Sequence, residues 1–183
     1  MKRIGIVLLL AVLLLSGCSQ PSSPASSETA APPQTTSAAS TETEAAVLVS
    51  MYDLSKAMEA ADPSLPKLLR VSSSDTDAAT LFEYISTLAY EKVDGFFLAY
   101  AADGSASELA VVAVRDPADL LALKASLEAH LAERVLLYKN YSPDQVAQAE
   151  AARVVTSDRY AALVMCQARD AVIAAFQQGV SAR

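Results

Sequence analysis

The sequence predicts an α+β domain in which an antiparallel sheet of about four strands is covered by helices. Two pairs of segments rich in Val, Leu, Tyr and Phe are each joined by a short turn, which is typical of β-hairpins. A helical pattern follows each hairpin, and this order favours one sheet with helices packed on it. We expect a single domain over residues 47–183, preceded by a disordered tether.

A helical segment opens the predicted domain. Apolar residues recur at helical spacing from Val47 to Met58, and Asp62-Pro63 ends the pattern. Residues 65–70 then read as a short apolar connection around Pro66. A second helical stretch is predicted near residues 78–90.

The two hairpins are defined by their turns. Asp103-Gly104-Ser105 joins the first pair of strands, and Ser157-Asp158 joins the second. In the first strand of the first pair, alternate residues face opposite sides of the sheet. The four strands are predicted at 93–101, 107–114, 153–156 and 160–167.

The longest helix is predicted between the hairpins. Asp116 is a suitable N-cap and Pro117 suits the first helical position, whereas Asn140-Tyr141 breaks the pattern. Its apolar face contains Leu120, Leu123, Leu127, Leu131 and Tyr138.

Two shorter helices complete the domain. Ser142 followed three residues later by Gln145 matches a capping box at the start of another helix. The last helix is predicted near 168–178, with Gly179 as its C-terminal cap.

The N-terminus has the pattern of a bacterial lipoprotein signal. Lys2 and Arg3 precede an apolar run of about a dozen residues, which is shorter than the roughly 20 residues of a membrane-spanning helix. The lipobox sequence Leu15-Ser16-Gly17-Cys18 follows, so we interpret residues 1–17 as a signal peptide and Cys18 as the acylated residue. A plain signal peptide with an unrelated cysteine is the alternative. Two or three acyl chains, palmitate among them, would anchor the chain stably in a lipid bilayer.

Residues 18–46 are predicted to be the lipidated cysteine and a flexible linker. Ser, Thr, Ala and Pro dominate this stretch, and large aliphatic and aromatic residues are missing from it. Such a composition cannot offset the entropy lost on ordering. Because the acylated Cys18 precedes this flexible linker, we expect the domain to be tethered to the extracytoplasmic face of the cell membrane.

Charge and cysteine content limit the possible partners. The chain has 14 basic and 21 acidic residues, and loss of Lys2 and Arg3 with the signal changes the net charge from −7 to −9. This balance disfavours nucleic acid, because phosphate backbones reward clustered Lys and Arg. With Cys18 acylated, Cys166 has no cysteine with which to form a disulfide, and we interpret it as a buried structural residue.

The chain resembles a family of small bacterial lipoproteins, domain of unknown function 4358. The resemblance covers about residues 93–176. It rests on the motif Ser105-Ala106-Ser107-Glu108-Leu109-Ala110-Val111, on Asn140-Tyr141-Ser142-Pro143 after the long helix, and on the late hairpin at Tyr160. The lipobox and the Ser/Thr/Pro tether agree with it.

This resemblance implies an extracytoplasmic lipoprotein of the kind found largely in Firmicutes, with no established activity. The family usually has an Arg in the long helix at the position where this chain has His130. The resemblance therefore implies an extracytoplasmic location for the protein but gives no mechanism.

Glu108 and Tyr141 are the candidate binding residues. Glu108 begins an apolar strand inside the family motif, where a carboxylate can receive a ligand's amine or a partner's Arg. The simpler interpretation, which we favour, is a charge at an exposed strand end that pairs with Arg115 or Arg153. Tyr141 is most simply a packing residue in the turn between helices, with its hydroxyl available for a hydrogen bond.

No catalytic constellation is recognisable. His130 is the only histidine, so zinc-site spacings are missing, and we interpret it as a solvated or boundary residue. Nucleophile elbows and phosphate-binding glycine loops are also missing from the sequence. We expect a non-catalytic module, without cofactor or metal, that binds an envelope protein or a small ligand. The alternatives are a cell-surface hydrolase that uses carboxylates, and a structural or assembly accessory of the cell envelope.

Overall fold

The computed structural model describes residues 49–182, and all of these residues belong to one compact unit. The predicted α+β class is confirmed, with five antiparallel strands instead of about four. The helices are α1 (Met51–Ala60), α2 (Ala78–Phe82), α3 (Leu120–Tyr141), α4 (Val146–Ala151) and α5 (Arg169–Ser181). The strands are β1 (Leu68–Ser72), β2 (Val93–Ala101), β3 (Glu108–Val114), β4 (Arg153–Ser157) and β5 (Tyr160–Met165).

The sheet has the strand order β1-β2-β3-β5-β4. Both predicted hairpins, β2–β3 and β4–β5, are present, and Asp158 has the positive φ of 53° that its tight turn requires. The two hairpins join where β3 pairs with β5 in an antiparallel register. The chain between them, which contains α3 and α4, returns across one face of the sheet.

Helices cover both faces of the sheet because its central strands are apolar on both sides. Along β2, Phe96 and Leu98 pack on one face and Phe97 and Ala99 on the other, as the alternation predicts. The first face is covered by α2, α3 and α4. The second face is covered by α1 and α5, whose buried residues are Leu54, Met58, Val172, Phe176 and Val180.

The strand β1 corrects the expectation of a short connection at residues 65–70. This strand pairs with β2 at the edge of the sheet, from Leu68 opposite Ala101 to Ser72 opposite Phe97. Its side chains are half-buried or exposed, so it does not show the apolar alternation of a central strand. Pairing with β2, and not local sequence, makes this segment a strand.

The second helix is shorter than predicted. The helix α2 ends at Phe82, and the chain continues through turns to a short 3₁₀ segment, Tyr90–Lys92. Aromatic packing explains this ending, because the rings of Phe82 and Tyr90 both contact that of Phe96, with centroids 5.3 and 6.1 Å away. The chain therefore turns back towards β2 instead of extending the helix.

The long helix follows the prediction closely. Asp116 accepts a hydrogen bond from the backbone N–H of Ala118 at 2.9 Å, at the start of a 3₁₀ turn that leads into α3. The helix ends at Tyr141, where the break was expected. Its buried residues are Leu123, Leu127 and Tyr138.

Two predicted caps are wrong. The Ser142 side chain makes no capping hydrogen bond, and Gln145 instead accepts a bond from the backbone N–H of Ala106 at 2.9 Å. Gly179 lies inside α5 and does not end it. A Cβ at Gly179 would stand 2.5 Å from Leu54 Cδ1, so this glycine serves the close approach of α5 to α1.

The predicted signal peptide, the Cys18 lipidation site and the linker lie outside the described residues, which begin at Val49, two residues after the predicted start of the domain. Within residues 49–182, no helix is long and apolar enough to cross a bilayer.

Candidate functional site

Glu108 is buried, which corrects the expectation of an exposed strand end. It is the first residue of β3, and its side chain is 4 % exposed. Arg115 and Arg153, the partners expected from the sequence, are engaged elsewhere: Arg115 pairs with Asp94, and Arg153 donates to backbone carbonyls. Strand alternation places Glu108 on the face with Ala110, which is the face covered by α3.

Two basic residues of α3 hold the Glu108 carboxylate. His130 Nε2 lies 2.6 Å from Glu108 Oε1, and Arg134 Nε lies 3.2 Å from Glu108 Oε2. His130 is 14 % exposed and Arg134 is 27 % exposed in their side chains. His130 is therefore a boundary residue as predicted, but it is paired instead of solvated.

The spacing of α3 explains how both residues reach one carboxylate. His130 and Arg134 are four residues apart, so they lie one turn above the other on the same side of the helix. They continue the buried stripe of Leu123 and Leu127 towards Tyr138. An apolar stripe thus becomes a polar one where it passes the start of β3.

Arg134 belongs to a short chain of polar contacts. Its Nη2 donates to the Tyr138 hydroxyl at 2.7 Å, and that hydroxyl donates to the carbonyl of Ser105 at 3.0 Å. The guanidinium carbon also lies over the Tyr138 ring, 5.1 Å from its centroid, within the range of a cation–π contact. Burial raises the pKa of Tyr138 against the opposing effect of Arg134, so the hydroxyl stays protonated and can donate.

The family motif is held in place by side chains that follow α3. Besides the bond from Ala106 to Gln145, Gln148 Nε2 donates to the carbonyl of Ala106 at 2.5 Å. The same Gln148 nitrogen lies 3.1 Å from Ser107 Oγ. These bonds fix the backbone immediately before Glu108 and so define where its carboxylate enters the interior.

The charged cluster forms one wall of an open cavity of about 450 Å³. The volume lies within the range of small-molecule sites. Its other walls come from β1, β2 and the segment 81–85, and they are mainly apolar. The lining residues are Val71, Leu81, Tyr84, Ile85, Leu98, Tyr100, Glu108, His130 and Arg134.

Tyr141 lies at a second cavity of about 400 Å³. Its side chain is among the most exposed of the large hydrophobic ones at 79 %, so the interpretation as a packing residue is wrong. Glu108 and Tyr141 therefore line different cavities. Arg134 and Tyr100 line both cavities and lie between them.

Cys166 is a buried thiol, as predicted, and lies away from this cluster. It packs in the core on the other face of the sheet, so His130 does not approach it. Burial and a hydrogen bond to Asp62 raise the pKa of Cys166 to about 12. At neutral pH this group is a thiol and not a nucleophilic thiolate.

Arg134, Tyr84 and Tyr100 are site residues that the sequence motifs do not predict. A signal for Arg134 did exist, because a basic residue four positions after His130 falls on the stripe otherwise occupied by buried leucines. Within residues 49–182, no cluster of three or more His, Cys, Asp or Glu side chains is arranged to hold a metal ion.

Fold and site together define a small α+β protein with a buried Glu–His–Arg cluster at an apolar cavity. The chain belongs to the family described as Domain of unknown function (DUF4358), whose model matches residues 69–166. The match begins in β1, earlier than the resemblance found from the motifs. No curated protein and no solved structure gives a significant match to the chain.

Proposed function

We propose that this chain is a lipid-anchored extracytoplasmic binding protein that holds a small ligand in the Glu108–His130–Arg134 cavity. The observation that carries the proposal is a buried carboxylate, paired with two basic side chains, in the wall of an otherwise apolar cavity. Sites for small ligands typically combine apolar walls with a few oriented polar groups.

Stability alone is a poor reason for such a cluster. Taking a carboxylate out of water is costly, and well-packed apolar residues often replace a buried ion pair at no loss of stability. A cluster that is also open to a cavity is better explained by a ligand. This supports binding over a purely structural or assembly role, which stays the second candidate.

The binding role is also favoured over a hydrolase. A general acid or base must reach the substrate, and it is usually a carboxyl group with a raised pKa and no basic partner. Both oxygens of Glu108 face basic nitrogens, and the side chain is almost fully buried. We assign Glu108 to positioning Arg134 and not to proton transfer.

The anchor part of the proposal rests on the lipobox Leu15-Ser16-Gly17-Cys18. Labelling of expressing cells with a radioactive or clickable palmitate tests it. The wild-type chain should incorporate label and fractionate with membranes, whereas Cys18→Ala should lose both properties. Cys166→Ala is the matched control, and it should keep the label. Label on the Cys18→Ala protein would contradict the anchor assignment.

The binding part is tested by a thermal-shift screen of small-molecule fragments on the full chain. Val71→Trp should fill the cavity from its β1 wall and abolish the hits. Val154→Trp is the control, because Val154 is also a half-buried valine on an edge strand, on the same face, but lines neither cavity. Hits that survive Val71→Trp, or a complete lack of hits, would contradict a ligand in this cavity.

A further inference from the structure

The charges around the cavity decide what kind of ligand it can hold, provided that the proposed binding function is correct. Glu108 is the acidic group in the cavity wall, and its two oxygens are already within 2.6 and 3.2 Å of His130 and Arg134. A ligand amine would have to compete with both for the same carboxylate. It would also come close to the positive charge of Arg134, which costs free energy at low dielectric.

Arg134 has hydrogen-bond donors that no described protein group accepts. Among the described residues, its guanidinium donates one hydrogen bond, from Nη2 to the Tyr138 hydroxyl. Its buried Nε has no hydrogen-bond partner, because the nearby Glu108 oxygen is not aligned with the N–H. A guanidinium carries five N–H donors in a rigid planar fork, so most of the Arg134 donors have no acceptor among the described protein groups.

The position of Arg134 is fixed before any ligand arrives. Glu108 pairs with its Nε at 3.2 Å, and its guanidinium carbon lies over the Tyr138 ring, 5.1 Å from the centroid. A preorganised guanidinium loses little freedom when it binds, and its fork matches the two oxygens of a carboxylate. Arg134 is also more exposed than Glu108 or His130, so it is the charged group that a ligand meets.

The walls determine the rest of the ligand. Val71, Leu81, Ile85 and Leu98 are aliphatic, and the rings of Tyr84 and Tyr100 add aromatic surface to the walls. Arg134 and Tyr100 also border the second cavity, which contains Leu69 and Leu137. An apolar group attached to an anion at Arg134 therefore finds apolar surface on either side.

We propose that the cavity binds a monocarboxylate with an apolar body, its carboxylate paired with Arg134 and its aliphatic or aromatic part against the β1–β2 wall. Two sources share this chemistry: medium-chain fatty acids and the free carboxyl terminus of a short apolar peptide.

Calorimetric titration of the full-length protein tests the assignment with matched probes. Octanoate should bind, whereas octylamine and 1-octanol, which have the same chain without the carboxylate, should bind at least tenfold more weakly. N-acetyl-Leu-Phe with a free or an amidated C-terminus tests the peptide source. Binding of the free acid alone assigns a peptide terminus, and binding of octanoate alone assigns a fatty acid.

Variants locate the carboxylate. Arg134→Met should lower octanoate affinity at least tenfold, and Lys124→Met, which removes one positive charge from the same helix outside the cavity, should not change it. If loss of Arg134 impairs folding, Glu108→Gln/Arg134→Met removes both charges and should show the same loss of affinity.

Failure of this inference differs from failure of the proposed function. Binding of octylamine that is lost in Glu108→Gln would overturn the monocarboxylate while leaving a binding protein. Octanoate binding unchanged by Arg134→Met would overturn the role of Arg134. Absence of binding for every probe, together with an empty fragment screen, would overturn both proposals.

Discussion

His130 Nε2 lies 2.6 Å from Glu108 Oε1, across the interface between α3 and the first residue of β3. This contact joins the helix to the sheet at a point where the surrounding core is apolar. Because Glu108 is nearly fully buried, the contact has consequences for stability that can be measured apart from any ligand.

Glu108→Ala should lower the free energy of unfolding by about 3 kcal/mol, because two basic groups lose the partner that compensates them. Glu108→Gln should cost less, since the amide oxygen can still accept from His130. Denaturant unfolding measures both. Glu128→Ala is the control: Glu128 pairs with Lys124 at an exposed i,i+4 position and should matter by less than about 0.5 kcal/mol. Equal losses for Glu108→Ala and Glu128→Ala would contradict a stabilising role for the buried contact.

Tyr84 should contribute to ligand binding through its position at the cavity. Tyr84→Ala should weaken binding of any ligand found there by about threefold to tenfold, through lost apolar contact. Tyr52→Ala is the matched control, because Tyr52 is as exposed (67 % against 71 %) but lies on α1, on the opposite face of the sheet. Calorimetry with the two variants distinguishes them, and an equal effect of both would exclude a contact between Tyr84 and the ligand.

Cys166 should be inert in the folded protein. Its pKa of about 12 leaves very little thiolate at pH 8, and the side chain is buried. In a Cys18→Ala background, Cys166 is the remaining thiol, and a chromogenic disulfide reagent should react with it at least a hundredfold more slowly than in denaturant. Rapid reaction of the native protein would show that this part of the core opens readily.

Asp62 should make stability depend on acid pH. Burial opposes ionisation of this carboxyl, but hydrogen bonds from Ser64 and from the backbone N–H of Ala168 lower its pKa below the ordinary value. A group with a depressed folded-state pKa stabilises the protein above its unfolded pKa of about 4, and this contribution is lost as the pH falls through the folded value.

Asp62→Asn should therefore cost about 1–3 kcal/mol at pH 7 and progressively less below pH 4. Unfolding curves between pH 2 and pH 7 measure the difference from wild type. Asp77→Asn is the control, because the Asp77 side chain is exposed and makes no capping bond. A difference that does not shrink in acid would contradict the role assigned to the ionised carboxylate.

Gly179 and Leu54 should be energetically coupled across the contact between α5 and α1. Gly179→Ala places a methyl group against the Leu54 side chain and should destabilise the protein by about 1–3 kcal/mol, despite the better helix propensity of Ala. Leu54→Ala alone should cost about 2–5 kcal/mol. The double variant should cost less than both together, because the new methyl fills part of the space left by Leu54. Additive losses would show that the two side chains do not meet.

The sequence by itself determined the parts of the fold that follow from local periodicity. The two hairpins, the long helix and their order could be read directly, because alternation with a period of two and a stripe with a period of 3.6 are properties of short segments. The motif from Ser105 to Val111, together with Asn140-Tyr141-Ser142-Pro143 and the hairpin at Tyr160, also indicated the family that the family model confirms. Capping by Asp116 was predictable for the same local reason. Gln145 instead accepts a hydrogen bond from the distant Ala106 backbone, which local sequence rules do not predict.

The tertiary structure alone decided the strand β1, the length of α2 and the candidate site. An edge strand with exposed side chains forms because its neighbour β2 offers a ladder of hydrogen bonds, and its own sequence carries little of that information. Glu108 and Arg134 are 26 positions apart in the chain and meet only because α3 folds back over the start of β3. Whether a charge is exposed or buried depends on such long-range packing, and for this reason the sequence pointed to Glu108 but not to its partners.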